Sequence, residues 1–322
     1  MTPEVSVVIP TYQRRASLER VLGGLATQEW PPERLEVVVV SDGGEDGSVE
    51  MARAFPVPFR LRVFRQKNQG PGAARNLGVD RAEGSLLLFL DDDVVPKPRL
   101  VAEHVGSHAS SDNRIVIGPL LEPPGVRLQP WTHWEAMMLA EQYEAMLAGT
   151  WAPTPWQFYT GNASVPVQLV RRAGGFDPAY QRAEDIELAF RLAALGGEFV
   201  FNPAAAGMHF ARRSYRAWLG AAYQYGRNDI LFGQAEGRVV GEFQHRHPLT
   251  RAFVLWGLRH RTTASLLTLP TEVAIRAAGC VGLRPLTDRL CSAIFNLNYW
   301  FGVVDQAGHA RAMDLAQSGS VR

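Results

Sequence analysis

The stretch SLLLFLDDDVVP, residues 85–96, is the strongest indicator of the fold of this 322-residue chain. Its five consecutive apolar residues, 86–90, are typical of a strand that is buried on both faces. The strand ends in three aspartates, and ligands of open α/β sheets bind beyond the carboxyl ends of the strands. Adjacent carboxylates repel one another unless a cation or hydrogen-bond donors compensate them. The pattern favours a site for Mg²⁺ or Mn²⁺ over the simpler alternative, a solvated acidic turn.

The residues before this strand alternate between apolar runs and helical patterns. Predicted strands at 5–9, 35–40 and 59–64 are separated by predicted helices, which is typical of an α/β protein with a mostly parallel sheet. The first strand ends in Pro-Thr-Tyr and not in a glycine-rich turn, so the dinucleotide fingerprint and the Walker loop are both missing. A nucleotide would have to bind this sheet by another arrangement.

The composition excludes several classes of protein. The 33 basic and 32 acidic residues nearly balance, so no global field favours nucleic acid. Cys280 and Cys291 match no metal or redox spacing, which fits a reducing cytoplasm. We see neither a signal-peptide pattern nor a run of about 18 apolar residues that could span a bilayer. We therefore expect a cytoplasmic chain, with peripheral contact at the inner face of the membrane as an open alternative.

Two positions near the predicted sheet edge carry side chains that could bind a ligand. Asp42 follows the second strand and could accept a hydrogen bond from a nucleobase, although taken on its own the position favours a mobile Asp-Gly-Gly turn. Arg75 lies in the first turn of a helix, where the helix dipole disfavours a cation. This placement suggests an anionic partner, either one of the aspartates or a phosphate. The alternative is an ordinary surface arginine.

The second half of the chain offers weaker signals. A helix is predicted to begin near Glu184 and Asp185, where acidic residues ordinarily just stabilise the first turn. A lone histidine such as His209 is more often structural than a ligand. Four tryptophans could form a sugar-stacking surface, but core packing is the commoner case. They are Trp131, Trp134, Trp151 and Trp156.

The last hundred residues change character. Arginines interleave with aromatic residues in a predicted helix after residue 211, and the remainder is mostly helical in pattern. Two interpretations stay open: a solvated helical cap, or helices that touch a membrane surface. The residues concerned are Arg212, Arg213, Tyr215, Arg216, Trp218, Tyr223, Tyr225 and Arg227.

Several segments together resemble the family-2 glycosyltransferases of GT-A fold. The resemblance covers residues 4 to about 210, in the family's order and spacing, and leaves the last hundred residues unexplained. The segments are VSVVIPTY (5–12), VVVVSDG (37–43), GPGAARN (70–76), LDDD (90–93), GGFD (174–177) and EDIEL (184–188).

The resemblance implies a mostly parallel, Rossmann-like sheet flanked by helices, with a helical C-terminal extension. It divides the chain into a nucleotide-sugar-binding half at 1–118, an acceptor-binding and catalytic half at 119–210, and an extension at 211–322. The implied reaction is an inverting, metal-dependent transfer of one sugar from a UDP-, GDP- or dTDP-sugar to a hydroxyl. The acceptor would be a glycan, a lipid-linked molecule or a small molecule in cell-envelope or glycan biosynthesis.

The family's functional residues map onto this chain motif by motif. The implied catalytic residues are Asp185, as general base, and its neighbour Glu184. The implied donor-binding residues are Pro10, Thr11, Tyr12, Arg14, Asp42, Gly72, Arg75, Asp91 and Asp92. The implied ligands of Mg²⁺ or Mn²⁺ are Asp93, Asp91 and His209, and the assignment within the aspartate triplet stays open.

Two alternatives and one question accompany this interpretation. A sugar-nucleotide-forming nucleotidyltransferase would carry a Gly-Gly-x-Gly-Thr-Arg loop after the first strand, and this chain does not. A degenerate GT-A domain that acts as a binding or scaffold module is the non-catalytic alternative. The processive Gln-x-x-Arg-Trp motif is absent, which favours single transfer.

A helix N-terminus would lower the pKa of Asp185 and desolvation would raise it, so the sequence leaves its suitability as a base open.

Overall fold

The computed structural model describes residues 3–180, 182–236 and 248–318. The chain forms two compact units. Unit 1 comprises Met1–Val126 and Ala136–Ala211, and unit 2 comprises Arg127–Glu135 and Arg212–Arg322. The sequence-based boundary at residue 118 stays a prediction.

The strands belong to unit 1. They are β1 Val5–Thr11, β2 Leu35–Ser41, β3 Arg60–Arg65, β4 Leu86–Leu90, β5 Val94–Pro96, β6 Arg114–Ile117, β7 Leu120–Leu121, β8 Asn162–Pro166, β9 Glu198–Phe201 and β10 Gly207–His209. In the described residues, seven of them form one sheet in the order β3-β2-β1-β4-β8-β6-β9, and three form a second sheet in the order β5-β10-β7. In the larger sheet only β8 runs antiparallel to its neighbours. The predicted mostly parallel α/β sheet is confirmed.

Helices flank the large sheet and occupy the connections between its strands, as in other α/β folds. The helix α5 begins in the part of the chain assigned to unit 2 and continues into unit 1. The helices up to residue 194 are α1 Arg15–Ala26, α2 Ser48–Ala54, α3 Pro71–Arg81, α4 Leu100–Ser107, α5 Pro130–Leu147, α6 Val167–Arg172 and α7 Glu184–Ala194.

Strand β4 is buried along its whole length, as its apolar run predicts. Because successive side chains of a strand point to opposite faces, its residues divide between two cores. Leu86, Leu88 and Leu90 pack with residues of α1 and α4, whereas Leu87 and Phe89 pack with residues of α6 and α7. The strand thus places the three aspartates that follow it at the carboxyl edge, with helices covering both faces of the sheet.

Two chain reversals bring distant residues to this edge. Strand β8 pairs antiparallel with β4, so Asn162 lies opposite Leu90 and the backbone N–H of Asp91 donates to Gly161 O at 3.2 Å. Strand β10 pairs antiparallel with β5, which places His209 opposite Val94, next to Asp93. The residues at this edge therefore come from the ends of parallel strands and also from β8 and β10, which run antiparallel to β4 and β5.

Unit 2 is helical in the residues that the structure describes. An aromatic cluster of Trp131, Trp134, Tyr215, Trp218 and Phe295 lies at its core. Its helices after residue 211 are α8 Tyr215–Glu236, α9 Pro248–Arg259, α10 Arg261–Leu266, α11 Thr268–Cys280, α12 Arg284–Ala307 and α13 His309–Ser318. The predicted helical C-terminal extension is confirmed.

Burial decides between the interpretations of the aromatic residues. Trp131 and Trp134 are core residues, whereas Trp151 and Trp156 are 40% and 36% exposed. Tyr215 and Trp218 are buried as well, so the aromatic side chains considered for membrane contact do not reach the surface at those two positions. None of the described helices combines the length and apolarity needed to cross a membrane.

Candidate active site

The three aspartates after β4 have different partners. The Asp91 carboxylate accepts a hydrogen bond from Arg75 at 2.8 Å. Asp92 accepts from the Thr11 hydroxyl at 2.7 Å and from Arg14 at 3.1 Å. Asp93 accepts from the same Arg14 nitrogen at 2.7 Å. The solvated acidic turn is wrong for Asp92 and Asp93, which are buried. Each carboxylate is compensated by a donor from an earlier part of the chain.

Arg14 bridges two carboxylates from a strained loop. Its Nη1 contacts both Asp92 and Asp93, although almost half of the side chain is exposed. The residue before it, Gln13, has a φ of 51°, in the left-handed region that costs a non-glycine residue free energy. A guanidinium nitrogen held between two carboxylates occupies the kind of position that a bound cation would take. The loop after β1 therefore supplies positive charge that compensates Asp92 and Asp93.

Burial and neighbouring charges move the pKa values of Asp92 and Asp93 apart. Burial raises the pKa of Asp92 to about 6, against the opposing effects of Arg14 and the Thr11 hydrogen bond. Burial also acts to raise the pKa of Asp93, but His209 and Arg14 outweigh it and lower that pKa to about 2. Asp93 is therefore the carboxylate that stays ionised over the wider range of pH.

Arg75 is buried and joins two distant parts of the chain. Its Nη2 donates to Asp91 and its Nη1 donates to Glu184, each at 2.8 Å. Its guanidinium carbon also lies 5.8 Å from the centroid of the Phe176 ring. The surface-arginine alternative is wrong, because only 5% of Arg75 is exposed. The anionic partner that its helix position predicted is a pair of carboxylates, one after β4 and one at the start of α7.

The start of α7 carries the predicted base. Ala183, the residue before the helix, has a φ of 58°, so the chain enters α7 through a strained turn. The Asp185 carboxylate accepts a hydrogen bond from the backbone N–H of Ile186 at 2.9 Å. Burial raises the pKa of Asp185 to about 7, and the charge of Glu184 adds to this, while Arg75 opposes it. Desolvation and the acidic neighbour therefore outweigh Arg75 and the hydrogen bond from Ile186 N, and a pKa near neutrality suits a general base.

Asp42 is tied into the loop before α3. Its carboxylate accepts hydrogen bonds from the Gln66 side chain at 2.7 Å, from Gln69 N at 2.9 Å and from Gly70 N at 2.8 Å. The mobile-turn alternative is wrong, since Asp42 is only 5% exposed. A carboxylate can accept about four hydrogen bonds in all, so a further position is left for a ligand. Its role toward a nucleobase stays a prediction.

The other predicted donor-binding residues differ in their access to solvent. Tyr12 is 47% exposed and Pro10 is partly buried at the end of β1. Gly72 is buried, and a Cβ added there would lie 3.4 Å from atoms of both Glu184 and Phe176. These distances are ordinary van der Waals contacts, so Gly72 packs beside the start of α7 but the packing does not require glycine. This contact is a packing role, and a contact of Gly72 with the donor stays a prediction.

Sequence reasoning missed Gly161 and Asn162. A Cβ at Gly161 would lie 3.1 Å from Asp91 Oδ2, so a larger residue would crowd that carboxylate. The Asn162 amide donates to Ala205 O at 2.8 Å, and its Oδ1 lies 2.9 Å from the buried His104 ring. Nothing local in the segment Thr-Gly-Asn-Ala (160–163) indicates that it pairs beside the aspartates. Its role follows from the antiparallel placement of β8.

The donor set fits a hard cation that is shared with a phosphate ligand. In the part of the chain that the structure describes, no three His, Cys, Asp or Glu side chains are grouped to hold a metal by themselves. His209 Nε2 lies 3.5 Å from Asp93 Oδ1, so these two predicted ligands meet, whereas Asp91 is engaged by Arg75. Mg²⁺ is usually bound by one or two carboxylates together with substrate phosphates and waters. Asp93 fits this mode as a carboxylate, His209 lies close enough to add an imidazole nitrogen, and the position of Arg14 indicates that positive charge is favoured there.

Strand order and site together define an α/β domain of the GT-A type, with an aspartate-rich edge facing an acidic helix start. Residues 6–171 match the family model of Glycosyl transferase family 2. That match covers more than half of the 322 residues, and the chain belongs to this family. The predicted family membership is confirmed.

Relatives and solved structures agree with this assignment. Validoxylamine A glucosyltransferase of Streptomyces hygroscopicus subsp. limoneus is 35% identical over 221 residues, which is 60% of this chain and 49% of that protein. Glycosyltransferase AglE of Haloferax volcanii is 33% identical over 118 residues, 36% of this chain and 39% of that protein. The chain thus spans about half or less of the length of these two relatives.

Two solved structures share the fold. The mannosyltransferase PcManGT from Pyrobaculum calidifontis, in complex with GDP-Man and Mn²⁺, has a TM-score of 0.57 at 23% identity, covering 99% of this chain and 87% of that one. Staphylococcus aureus TarS 1–349, in complex with UDP, has a TM-score of 0.52 at 16% identity, covering 95% and 92%. At these identities the likeness concerns the fold alone.

Proposed function

We propose that this chain transfers a single sugar from a nucleoside-diphosphate sugar to an acceptor hydroxyl, with inversion at the anomeric carbon. The observation that carries the proposal is the buried arginine Arg75, which bonds to Asp91 on one side and Glu184 on the other. It joins the aspartate-rich strand end, suited to the donor, to the helix start that carries Asp185. An inverting transfer needs these two functions on opposite sides of one carbon atom.

On the acceptor side, we assign Asp185 the role of general base. It would accept the proton of the acceptor hydroxyl while the hydroxyl oxygen attacks the anomeric carbon and the bond to the diphosphate breaks. A pKa raised to about 7 leaves the carboxylate basic enough to take the proton and still ionised in a useful fraction near neutral pH. Glu184, bonded to Arg75, would hold the helix start in place and keep the base close to its raised pKa.

On the donor side, we assign the nucleotide to the carboxyl edge of β1, β2 and β4. Thr11 and Arg14 hold Asp92, and Asp42 organises the loop before α3. Asp93 and His209 would hold Mg²⁺ or Mn²⁺, which, when bound, neutralises charge on the diphosphate leaving group. The exposed Tyr12 lies two residues before Arg14, in the loop where the base and ribose are expected.

Replacing Asp93 by Asn is expected to weaken Mn²⁺ binding by about tenfold or more, because one ionised ligand is lost. Arg14→Gln should have the opposite effect on the free protein, since its guanidinium no longer competes for Asp93. Titration calorimetry with Mn²⁺, with and without UDP or GDP, measures both changes without requiring turnover. Asp112→Asn, at an exposed aspartate of unit 1, is the matched control. Equal Mn²⁺ affinity in Asp93→Asn and wild type would remove Asp93 from the cation site.

The rate of transfer is expected to rise with pH through about 7 and to level off above it. The sign follows from the direction of the pKa shift: the raised pKa of Asp185 keeps the carboxyl largely protonated at pH 6, where it cannot accept a proton. An aspartate at its ordinary pKa of about 3.9 would give a flat profile over the same range. Initial rates between pH 5.5 and 8.5 at saturating donor measure this midpoint. A flat profile would contradict the assigned base or its environment.

The experiment that tests the function is release of nucleoside diphosphate from UDP-, GDP- and dTDP-sugars, with Mg²⁺ or Mn²⁺ and with chelator. Support for this panel comes from the fold neighbours, whose structures contain GDP-Man with Mn²⁺, UDP or UDP-GlcNAc. Metal-dependent release from one donor, increased by glycan, lipid-linked or small-molecule acceptors, is the expected result. If calorimetry finds no binding of any nucleotide sugar, the transferase proposal fails and the scaffold alternative is favoured.

A further inference from the structure

A series of strongly exposed apolar side chains in unit 2 extends from the last residue of α10, along α11, to the residue that follows α11. Leu266, Val273 and Val281 are 73%, 68% and 71% exposed. With the exposed residues Pro270 and Ala277, they recur at the three- and four-residue spacing that defines one face of a helix. We call these five residues the α11 stripe.

The α11 stripe is not a displaced core face. The opposite side of the same helix carries Ile275 and Ala278, which are 0% and 5% exposed and belong to the buried interior. A helix on the surface of a globular protein normally carries charged or polar residues outward. Here the outward positions of α11 are apolar, apart from Arg276, which is bonded to Glu272 within the helix.

The apolar surface continues beyond the helix, and arginines precede and follow it in the sequence. Leu283 and Leu286, in the following turn and the first turn of α12, are 51% and 46% exposed. Residues 248–290 contain six arginines but only two acidic residues. Three of the arginines are exposed and have no acidic partner among the residues that the structure describes. They are Arg259, Arg284 and Arg289.

We propose that the α11 stripe binds the surface of an anionic lipid bilayer. The apolar side chains would enter the boundary between headgroups and acyl chains, and the three exposed arginines would contact the headgroup phosphates. A second copy of the chain is a poorer occupant, because the excess of arginine would be placed against itself. The inference concerns unit 2 alone and does not depend on the transfer reaction.

A native cysteine allows a fluorescent probe to be attached at this surface. Cys280 is exposed on α11, seven residues after Val273, whereas Cys291 is buried. A polarity-sensitive fluorophore attached to the full chain should therefore react at Cys280. We expect its emission to shift to the blue and brighten with vesicles of phosphatidylglycerol and phosphatidylcholine, and to change little with phosphatidylcholine alone.

Two pairs of variants test the stripe and the arginines separately. Val273→Asp with Val281→Asp is expected to weaken vesicle binding by about tenfold or more, because two charges would enter the interface. Arg284→Glu with Arg289→Glu should weaken binding to anionic vesicles by about tenfold or more, since the attraction to the headgroups is lost. Leu147→Asp, at a residue 61% exposed in unit 1, and Arg53→Glu, at an exposed arginine of α2, are the matched controls.

Three results would overturn the proposal. One is a blue shift without vesicles that grows with protein concentration, which would identify a second copy as the occupant. Another is binding to anionic vesicles that survives both substitutions in the stripe, which would place the contact elsewhere. The third is unchanged emission with every vesicle composition. Since all the substituted positions are exposed, thermal unfolding of the variants should match that of the wild type.

Discussion

Asp185→Asn is expected to lower the turnover number by about 10²- to 10⁴-fold, the range that general-base catalysis contributes. Asparagine keeps the size of the side chain and can still accept from Ile186 N, but it cannot take a proton from the acceptor. The dissociation constant of the donor should change by no more than about twofold, because the donor contacts assigned here lie at the strand ends. Single-turnover rates and donor calorimetry measure the two quantities separately.

Glu187→Gln is the matched control for this variant. Glu187 is also an acidic residue in the first turn of α7, but its carboxylate pairs with Arg191 one turn further along the helix. We expect its turnover to stay within about twofold of wild type, since an ion pair within one helix contributes little. Near-normal turnover in Asp185→Asn would remove Asp185 from the role of base. A large loss of turnover in both variants would indicate that the substitutions damage the helix, and would not indicate lost proton transfer.

Arg75→Met is expected to have the largest effect on stability, lowering the free energy of unfolding by about 3–5 kcal/mol, as when one partner of a buried ion pair is removed. Glu184 would be left buried without its cation, and Asp91 would lose the partner that ties it to α7. Because Arg75 acts to lower the pKa of Asp185, the pH midpoint of any remaining activity should move upward. Denaturant titration and the pH profile measure the two effects.

A second substitution tests whether the unpaired charge of Glu184 causes the loss of stability in Arg75→Met. In Arg75→Met with Glu184→Gln the unpaired buried charge is gone, so part of the lost stability should return, and the two substitutions should be non-additive. Arg81→Met, at an exposed arginine in the last turn of the same helix, should change stability by less than about 0.5 kcal/mol. A loss of similar size in Arg75→Met and Arg81→Met would contradict the linking role of Arg75.

The two halves of the candidate site differ in how far the sequence predicted them. The aspartates after β4 and the loop after β1 follow strands that are readable from local apolar runs, and parallel strands end at a common edge. Asp185 and His209 were assigned through the family resemblance, because an acidic first turn or a single histidine has ordinary structural explanations. Gly161 and Asn162 were missed, since the contact of Gly161 with Asp91 and the pairing of Asn162 with Leu90 depend on β8 running antiparallel beside β4.

The α/β fold, the buried strand and the family could be predicted from the sequence alone, because apolar periodicity and short motifs are local properties of the chain. The hydrogen-bond donor of each carboxylate could be identified only in the folded chain, since Thr11 and Asp92, or Arg75 and Glu184, meet through strand and helix order. The tertiary structure also decided the direction of the pKa shift at Asp185, because desolvation depends on everything packed around the group. The same holds for unit 2: the helical pattern was readable, but burial of Trp218 and exposure of Val273 follow from packing.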